Sequence, residues 1–352
     1  MDSGTGRGSG RPARQADIAA AAGVSQTTVS LVLAGNRDGV RLSETTRQRV
    51  LKAAEKLGYV PDPVATRLAS SRNHMLGVYT FASAFPTDVD GFYYPILVGV
   101  EEEAAALGQD LVLFTGTGGA DARAHDRTAI RRTRVTDGCL FFGRHIPEEP
   151  IDWLLGSGFP LVYIGRRDEL DGRIPFAGVD YVTASGAVVD RLIAQGHRSL
   201  RYLRENDDAP SSTDRETGVL DAVRRAGLPT AKVVVRREAD DVGPDLVGGW
   251  RQAGVTALIV EETDTGSLAK ALIAAIDAAG LSCPDDLSLA VLGRSPALPE
   301  ASGFEVPRRE LGRRAVRLLV DQITTAPGKR PTVQELLPCR PITGTTIGPV
   351  PG

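Results

Sequence analysis

Residues Asp17–Leu33 read DIAAAAGVSQTTVSLVL, a stretch that encodes two short helices meeting at a glycine corner. Ile18 and Ala22 recur at helical spacing, so a first helix is expected over Asp17–Ala22. Gly23 supplies the permissive backbone of a turn, Val24 plugs the angle, and Ser25 offers an N-cap oxygen to the helix that follows. From Gln26 onward Val29, Val32 and Leu33 form one apolar stripe, which leaves Gln26, Thr27, Thr28, Ser30 and Leu31 to face elsewhere. Two helices joined in this way deliver the second into the DNA major groove, and its polar first turn is what remains for base edges. A third helix, capped by Ser43 and stopped at Gly58, is expected to pack Val50, Leu51, Ala54 and Leu57 against the pair.

Beyond the headpiece lies Tyr59-Val60-Pro61-Asp62-Pro63-Val64-Ala65-Thr66-Arg67-Leu68-Ala69-Ser70. Asp62 is an N-cap type and Pro63 suits a first helical position, so about two turns of helix are expected. So short a helix is marginal alone and should order only when something packs on it. Together these segments resemble the LacI/GalR family of bacterial transcription regulators. The motifs that carry the resemblance are DIAxxAGVSxxTVS in Asp17–Ser30, TRxRVLxAAExLGYxP in Thr46–Pro61 and ELGRRA in Glu310–Ala315.

The resemblance implies roles for particular residues. Ser25, Gln26, Thr27, Thr28, Ser30 and Leu31 stand on the DNA-reading turn, with Gln26 and Thr27 at bases and Thr28 and Ser30 at phosphates. Leu31 occupies a place where many relatives carry an Arg that bonds guanine, so it offers only apolar contact. Asn36 and Arg37 in the next loop are candidate phosphate contacts. In the linker Ala65 and Leu68 are placed at DNA, Leu68 where a side chain inserts from the minor groove.

From Met75 the chain alternates short β-rich runs with amphipathic helices, the mark of an α/β fold with parallel sheets. Strands are expected at Leu76–Phe81, Asp110–Thr115, Gly138–Phe142, Leu161–Gly165, Gly178–Asp180, Leu200–Leu203, Lys232–Arg236, Ala257–Val260 and Leu287–Leu292. The number suits two doubly wound lobes, and the resemblance implies that they are like those of periplasmic sugar-binding proteins. Ligands of open parallel sheets sit beyond the carboxyl ends of the strands. That rule picks out residues 81–85, Phe92, Tyr93, Arg144, Arg166, Asp180, Arg215, the Glu262–Asp264 turn and Arg294, and with the resemblance it nominates Phe81, Phe85, Tyr93, Arg144, Arg166, Asp180, Arg215, Asp264 and Arg294 as effector contacts. Where many relatives end the late strand in Phe-Asp-Asp, this chain has Leu292-Gly293-Arg294, which removes an acceptor for hydroxyls and adds a donor for anions.

The expected organisation is a disordered tail over 1–14, a headpiece over 15–60, a hinge linker over 61–74, an effector-binding and dimerisation domain over 75–347 and a short tail over 348–352. Charge follows this division. Residues 1–74 hold eleven Lys or Arg against six Asp or Glu, a net of +5, whereas the whole chain is at −3, so the remainder carries −8. Positive charge is concentrated where phosphates would be met. No run approaches the ~18 apolar residues of a membrane span, no signal-peptide core precedes the headpiece, and Cys139, Cys283 and Cys339 lack metal spacing. A cytoplasmic protein without metal or cofactor is expected. No catalytic constellation is visible, since the four His are dispersed and no Ser sits in a nucleophile elbow.

The reading is a homodimeric repressor of a pseudo-palindromic double-stranded DNA operator, responding to a sugar, sugar phosphate or organic acid. A solute-binding or sensor protein is the alternative. The end of the chain after Glu335 is rich in Pro, Gly and Thr without heptads, against a coiled-coil tetramerisation segment.

Overall fold

In the computed structural model the described residues are 13–33, 42–59, 72–81, 92–114, 127–263 and 266–351. The chain divides into two compact units, Met1–Asn73 and His74–Gly352.

The first unit contains α1 (Gln15–Ala22), α2 (Gln26–Leu33) and α3 (Glu44–Lys56). Helix α1 begins two residues earlier than expected because the Asp17 carboxylate accepts the Arg14 amide at 2.8 Å, giving the first turn a side-chain partner. It ends at Gly23, whose φ of +62° is open to glycine at little cost, and the chain bends by 106° into α2. Ser25 Oγ accepts the Thr28 amide at 3.1 Å and caps α2. Ile18, Ala22, Val29, Val32, Val50, Ala53 and Ala54 close a small core. Leu51 and Leu57 do not join it. The buried face of α3 runs through Val50, Ala53 and Ala54 at i, i+3, i+4, and Leu51 lies about 100° around the helix from Val50, leaving it 44% exposed. Ser43 Oγ caps α3 by accepting the Thr46 amide at 3.2 Å. Ser43→Ala is expected to cost about 1 kcal/mol, read as faster hydrogen exchange at the first amides of α3 in the full chain.

The second unit is built on two six-stranded sheets. The first holds β1 (Met75–Thr80), β2 (Asp110–Phe114), β3 (Gly138–Phe142), β4 (Leu161–Ile164), β5 (Phe176–Val179) and β11 (Gln334–Leu337), all parallel in the order β11-β5-β4-β3-β1-β2. The second holds β6 (Leu200–Arg204), β7 (Val234–Arg236), β8 (Ala257–Glu261), β9 (Ser288–Leu292), β10 (Ser302–Glu305) and β12 (Arg340–Ile342), ordered β12-β10-β9-β8-β6-β7 with β12 antiparallel. Strands β3, β4, β8 and β9 are buried along their whole length, as parallel strands covered on both faces must be, which is why they read as unbroken apolar runs. The chain passes between the lobes after β5, after β10 and after β11.

Strands β10, β11 and β12 were not expected from the sequence. The Pro/Gly/Thr-rich end is likewise not a free tail: the Gly348 amide donates to Ser288 Oγ at 3.1 Å and the Val350 amide to the Gln195 carbonyl at 3.2 Å. His197, buried, sits between Thr256 Oγ1 at 2.9 Å and the Gly348 carbonyl at 3.0 Å, a structural role.

Both lobes bring helices together through glycine. In the first, α4 (Tyr94–Ala106) crosses α11 (Arg308–Thr324) so closely that a methyl at Gly99 would overlap the Arg309 carbonyl, and one at Gly312 the Ile96 carbonyl. In the second, α7 (Tyr181–Ala194) crosses α8 (Pro210–Arg225), with Gly218 against the Val182 carbonyl. Arg309 and Arg313 on α11 converge on Glu102 of α4, and Arg317 reaches Glu103 at 2.8 Å.

Candidate functional site: headpiece face and interlobe cleft

On α2 the packed residues Val29 and Val32 face inward, while Gln26 and Thr27 at the first turn are exposed and Thr28, Ser30 and Leu31 are half-exposed. The Thr28 hydroxyl shares a hydrogen bond with Ser25 Oγ at 2.9 Å, so it is held close to the cap. An exposed polar first turn on a helix that protrudes at a sharp corner has the shape of a DNA-reading element. Asn36, Arg37, Ala65 and Leu68 lie outside the described residues, as do nearly all of the 1–14 tail and of the 61–74 linker.

Between the two sheets a cleft of about 770 Å³, its open mouth included, is lined from the carboxyl ends of β3, β4, β5 and β8 and the first turn of α8. Tyr93, Arg144, Arg166 and Arg215 meet there. Phe92 and Glu262, at strand-end positions the sequence also points to, line it as well, as do Phe142, Tyr181 and Asp214, which the sequence does not single out. Phe92 and Tyr93 stack edge to face at 5.3 Å, and Tyr93 lies 5.5 Å from Phe142, giving the cleft an aromatic wall.

Arg215 is 2% exposed. Its guanidinium lies 3.8 Å over the Tyr181 ring and donates to the carbonyls of Leu292 at 3.2 Å, Ser211 at 3.1 Å and Glu262 at 3.4 Å. Arg166 donates to Asp214 at 2.7 Å and to Asp168; burial works against its charge, but these hydrogen bonds outweigh it and raise its pKa. Burial in turn lifts the Asp214 carboxyl above the usual range despite Arg166. Arg144 reaches Glu205 at 2.7 Å and Asp207 at 3.1 Å.

Two charged groups of the cleft depart from this pattern: among the described residues, the buried Arg167 Nε and Glu262 Oε2 both lack a hydrogen-bond partner. The Glu262 side chain is 4% exposed and, among the described residues, nothing bonds its Oε2. Burial pushes its pKa up to about 7, with Ser295, Arg308 and Arg215 opposing. A buried acceptor left open inside a cleft is what a ligand donor would satisfy.

Three nominated effector residues are not in the cleft. Phe81 is in the first lobe's core, 5.1 Å from Tyr79 and 5.9 Å from Phe141, because its amide still donates to the Phe142 carbonyl at 3.1 Å and strand alternation puts it on the same face as Tyr79. Asp180 caps α7 by accepting the Thr183 amide at 2.9 Å. Arg294 is 56% exposed and lies 3.7 Å from Glu305, since Gly293 at φ +150° lets the Glu262 side chain occupy the space behind β9 and turns the chain outward. Phe85 and Asp264 lie outside the described residues.

A helical headpiece with an exposed first turn on its second helix, followed by a two-lobed α/β domain with a cleft at the strand ends, is the architecture of a regulator of transcription. Residues 16–62 match the bacterial regulatory proteins of the lacI family, residues 83–245 the periplasmic binding proteins and sugar binding domain of the LacI family, and residues 189–347 a periplasmic binding protein-like domain. The chain is 27% identical over 327 residues to the HTH-type transcriptional regulator CelR of Thermobifida fusca, covering 87% of this chain and 91% of that one. It is 27% identical over 318 residues to the HTH-type transcriptional repressor CytR of Escherichia coli K12, covering 87% and 89%. Its fold is similar to that of the lac repressor dimer bound to operator and an anti-inducer, with a TM-score of 0.74, 21% identity and coverage of 96% of this chain and 100% of that one. The chain belongs to the lacI family of bacterial regulatory proteins, and is a transcriptional regulator, not an enzyme.

Proposed function

We propose that the protein binds a pseudo-palindromic operator as a homodimer, as a repressor, and that an uncharged, hydroxyl-bearing effector in the interlobe cleft alters that binding. The observation that carries the DNA half is the exposed Gln26–Thr27 turn of α2 set at 106° to α1. Two headpieces presented by a two-fold dimer match two half-sites. The 61–74 segment is read as a linker helix that orders against the minor groove, with Leu68 as the inserted residue.

The effector class follows from charge. Arg144 and Arg166 are already met by carboxylates of the chain, so an anion would add an acceptor where acceptors are in place. The open groups are an acceptor, Glu262 Oε2, and a donor, Arg167 Nε, and a hydroxyl, which both donates and accepts, suits the pair without adding charge. Arg294, the residue that spoke for an anion, faces away from the cleft. A structure similar in fold, at a TM-score of 0.64 and 24% identity, is titled a CelR–cellobiose complex, which makes cellobiose a suitable first probe.

The test is a gel shift with the regulator's own upstream DNA at moderate salt, with and without cellobiose and related sugars. A specific shift altered by a sugar is expected; no specific shift overturns the reading and favours a solute sensor. Within the assay, Gln26→Ala should weaken binding by about 1–3 kcal/mol and relax preference at one base pair in each half-site. A uniform loss across all sequences would move Gln26 to the phosphate backbone.

A further inference from the structure

The two lobes are tied together beside the cleft by the chain's own charges. Arg144, after β3 in the first lobe, reaches Glu205 at 2.7 Å and Asp207 at 3.1 Å in the loop after β6 of the second. Its neighbour His145 lies 3.0 Å from Asp207. Arg166, after β4, reaches Asp214 on α8 at 2.7 Å. Every one of these pairs has one member on each lobe.

The acidic side is built rather than incidental. The Glu205 amide donates to Glu261 Oε1 at 2.8 Å, and Glu205 Oε1 accepts from Thr263 Oγ1 at 2.8 Å, so the carboxylate is fixed to the end of β8. Glu205 and Asp214 are 12% and 9% exposed, where salt screens less than it does on an open surface. Such contacts act over a few ångströms only, so they hold a closed arrangement and contribute little to an open one.

We propose that this Arg144–Glu205–Asp207 and Arg166–Asp214 clasp closes the cleft in the absence of effector, so that the rate of lobe opening controls effector entry. The proposal rests on the cleft being the effector site. A site closed by its own residues binds ligand only in the fraction of molecules that are open, and apparent affinity falls by that fraction. An uncharged effector does not compete for the clasp; ionic strength does. Salt therefore promotes effector entry here, the reverse of its effect on an anion attracted by arginines.

Lobe separation in the full chain tests this without any sugar. Spin labels are placed at Asp152→Cys, on α6 (Glu148–Gly156) of the first lobe, and at Arg224→Cys on α8 of the second, both more than half exposed. Cys283 and Cys339 are replaced by Ser, and Cys139 is buried beyond reach of the label. With labelled chain diluted in excess unlabelled chain, so that a dimer carries one labelled pair, pulsed electron resonance at low salt should give one short, narrow distance. Glu205→Gln with Asp207→Asn, which leaves the cleft lining untouched, should lengthen and broaden it, the closed-to-open ratio falling about threefold for each pair lost. About 1 M NaCl, where the Debye length is near 3 Å, should shift the parent chain in the same direction but by less, since the pairs are partly buried. A distribution indifferent to both salt and Glu205→Gln/Asp207→Asn, or one already long at low salt, overturns the clasp. Because the readout is a distance in the ligand-free protein, failure of cellobiose to bind or of DNA to shift leaves it intact, and the reverse holds.

Discussion

Replacing Gly312 by Ala is expected to lower the stability of the effector-side domain by about 2 kcal/mol, a calorimetric shift of several degrees. In an ordinary helix interior the same change stabilises by about 1 kcal/mol, because Ala has the higher helix propensity. Here the methyl would meet the Ile96 carbonyl and the Val100 amide of α4, atoms of a backbone that cannot rotate away. Moving α11 off α4 would also disturb its packing on β3, β4 and β5 and stretch the Glu102 and Glu103 ion pairs. The steric term therefore exceeds the propensity term. Gly248→Ala is the control: Gly248 lies in a helix (Pro244–Gln252) with open space where its methyl would go, so a small stabilisation of about 0.5–1 kcal/mol is expected. Equal effects at the two positions would mean that propensity, not helix approach, decides. The experiment also gives a physical reason for the Gly in the Glu310–Ala315 motif, which the sequence presents only as a resemblance.

What could be read before folding is what depends on nearby residues. The Asp17–Leu33 corner was legible because its cap, its glycine and its apolar spacing lie within one short stretch. The central strands were legible because burial on both faces makes them continuous apolar runs. Strands β10, β11 and β12 were not, since Ser302–Glu305, Gln334–Leu337 and Arg340–Ile342 carry polar residues and become strands only by pairing with distant partners. The cleft was legible to within a residue or two. Asp180 and Arg215 were nominated, and each adjoins a residue with no such assignment, Tyr181 and Asp214; which of two neighbours faces a ligand depends on turn geometry that composition does not encode. The acidic acceptor missing from the end of β9 has a counterpart at the end of β8, in the Glu262–Asp264 turn that the strand-end rule picks out. Those strands are neighbours in the sheet but far apart in sequence, so only the sheet order sets Glu262 beside the place where the acid is missing.

That displaced acid makes the second large effect. Glu262→Gln is expected to abolish a fall in stability that the parent chain shows as pH rises. Burial raises the Glu262 carboxyl from an ordinary 4.5 to about 7 in the folded protein. Between those values the native state binds a proton that the unfolded chain has lost, so stability declines with rising pH. The contribution is fully present below about pH 4.5, is lost as pH passes through about 7, and amounts to about 3 kcal/mol in all. Gln fills the same space without charge, so urea unfolding between about pH 5 and pH 8 should show the variant gaining on the parent steadily, by up to about 3 kcal/mol at the alkaline end. Persistence of the slope in Glu262→Gln would transfer it to Asp214, whose carboxyl burial also lifts, and would remove Glu262 as the buried acceptor. The same ionisation bears on recognition. A hydroxyl donates more strongly to a carboxylate than to a carboxylic acid, so cellobiose binding by the parent chain should tighten as pH rises through 7, whereas Glu262→Gln should bind it with no such rise. The protein would then give up stability where its cleft is best prepared for a ligand, and a ligand bound there should recover part of it.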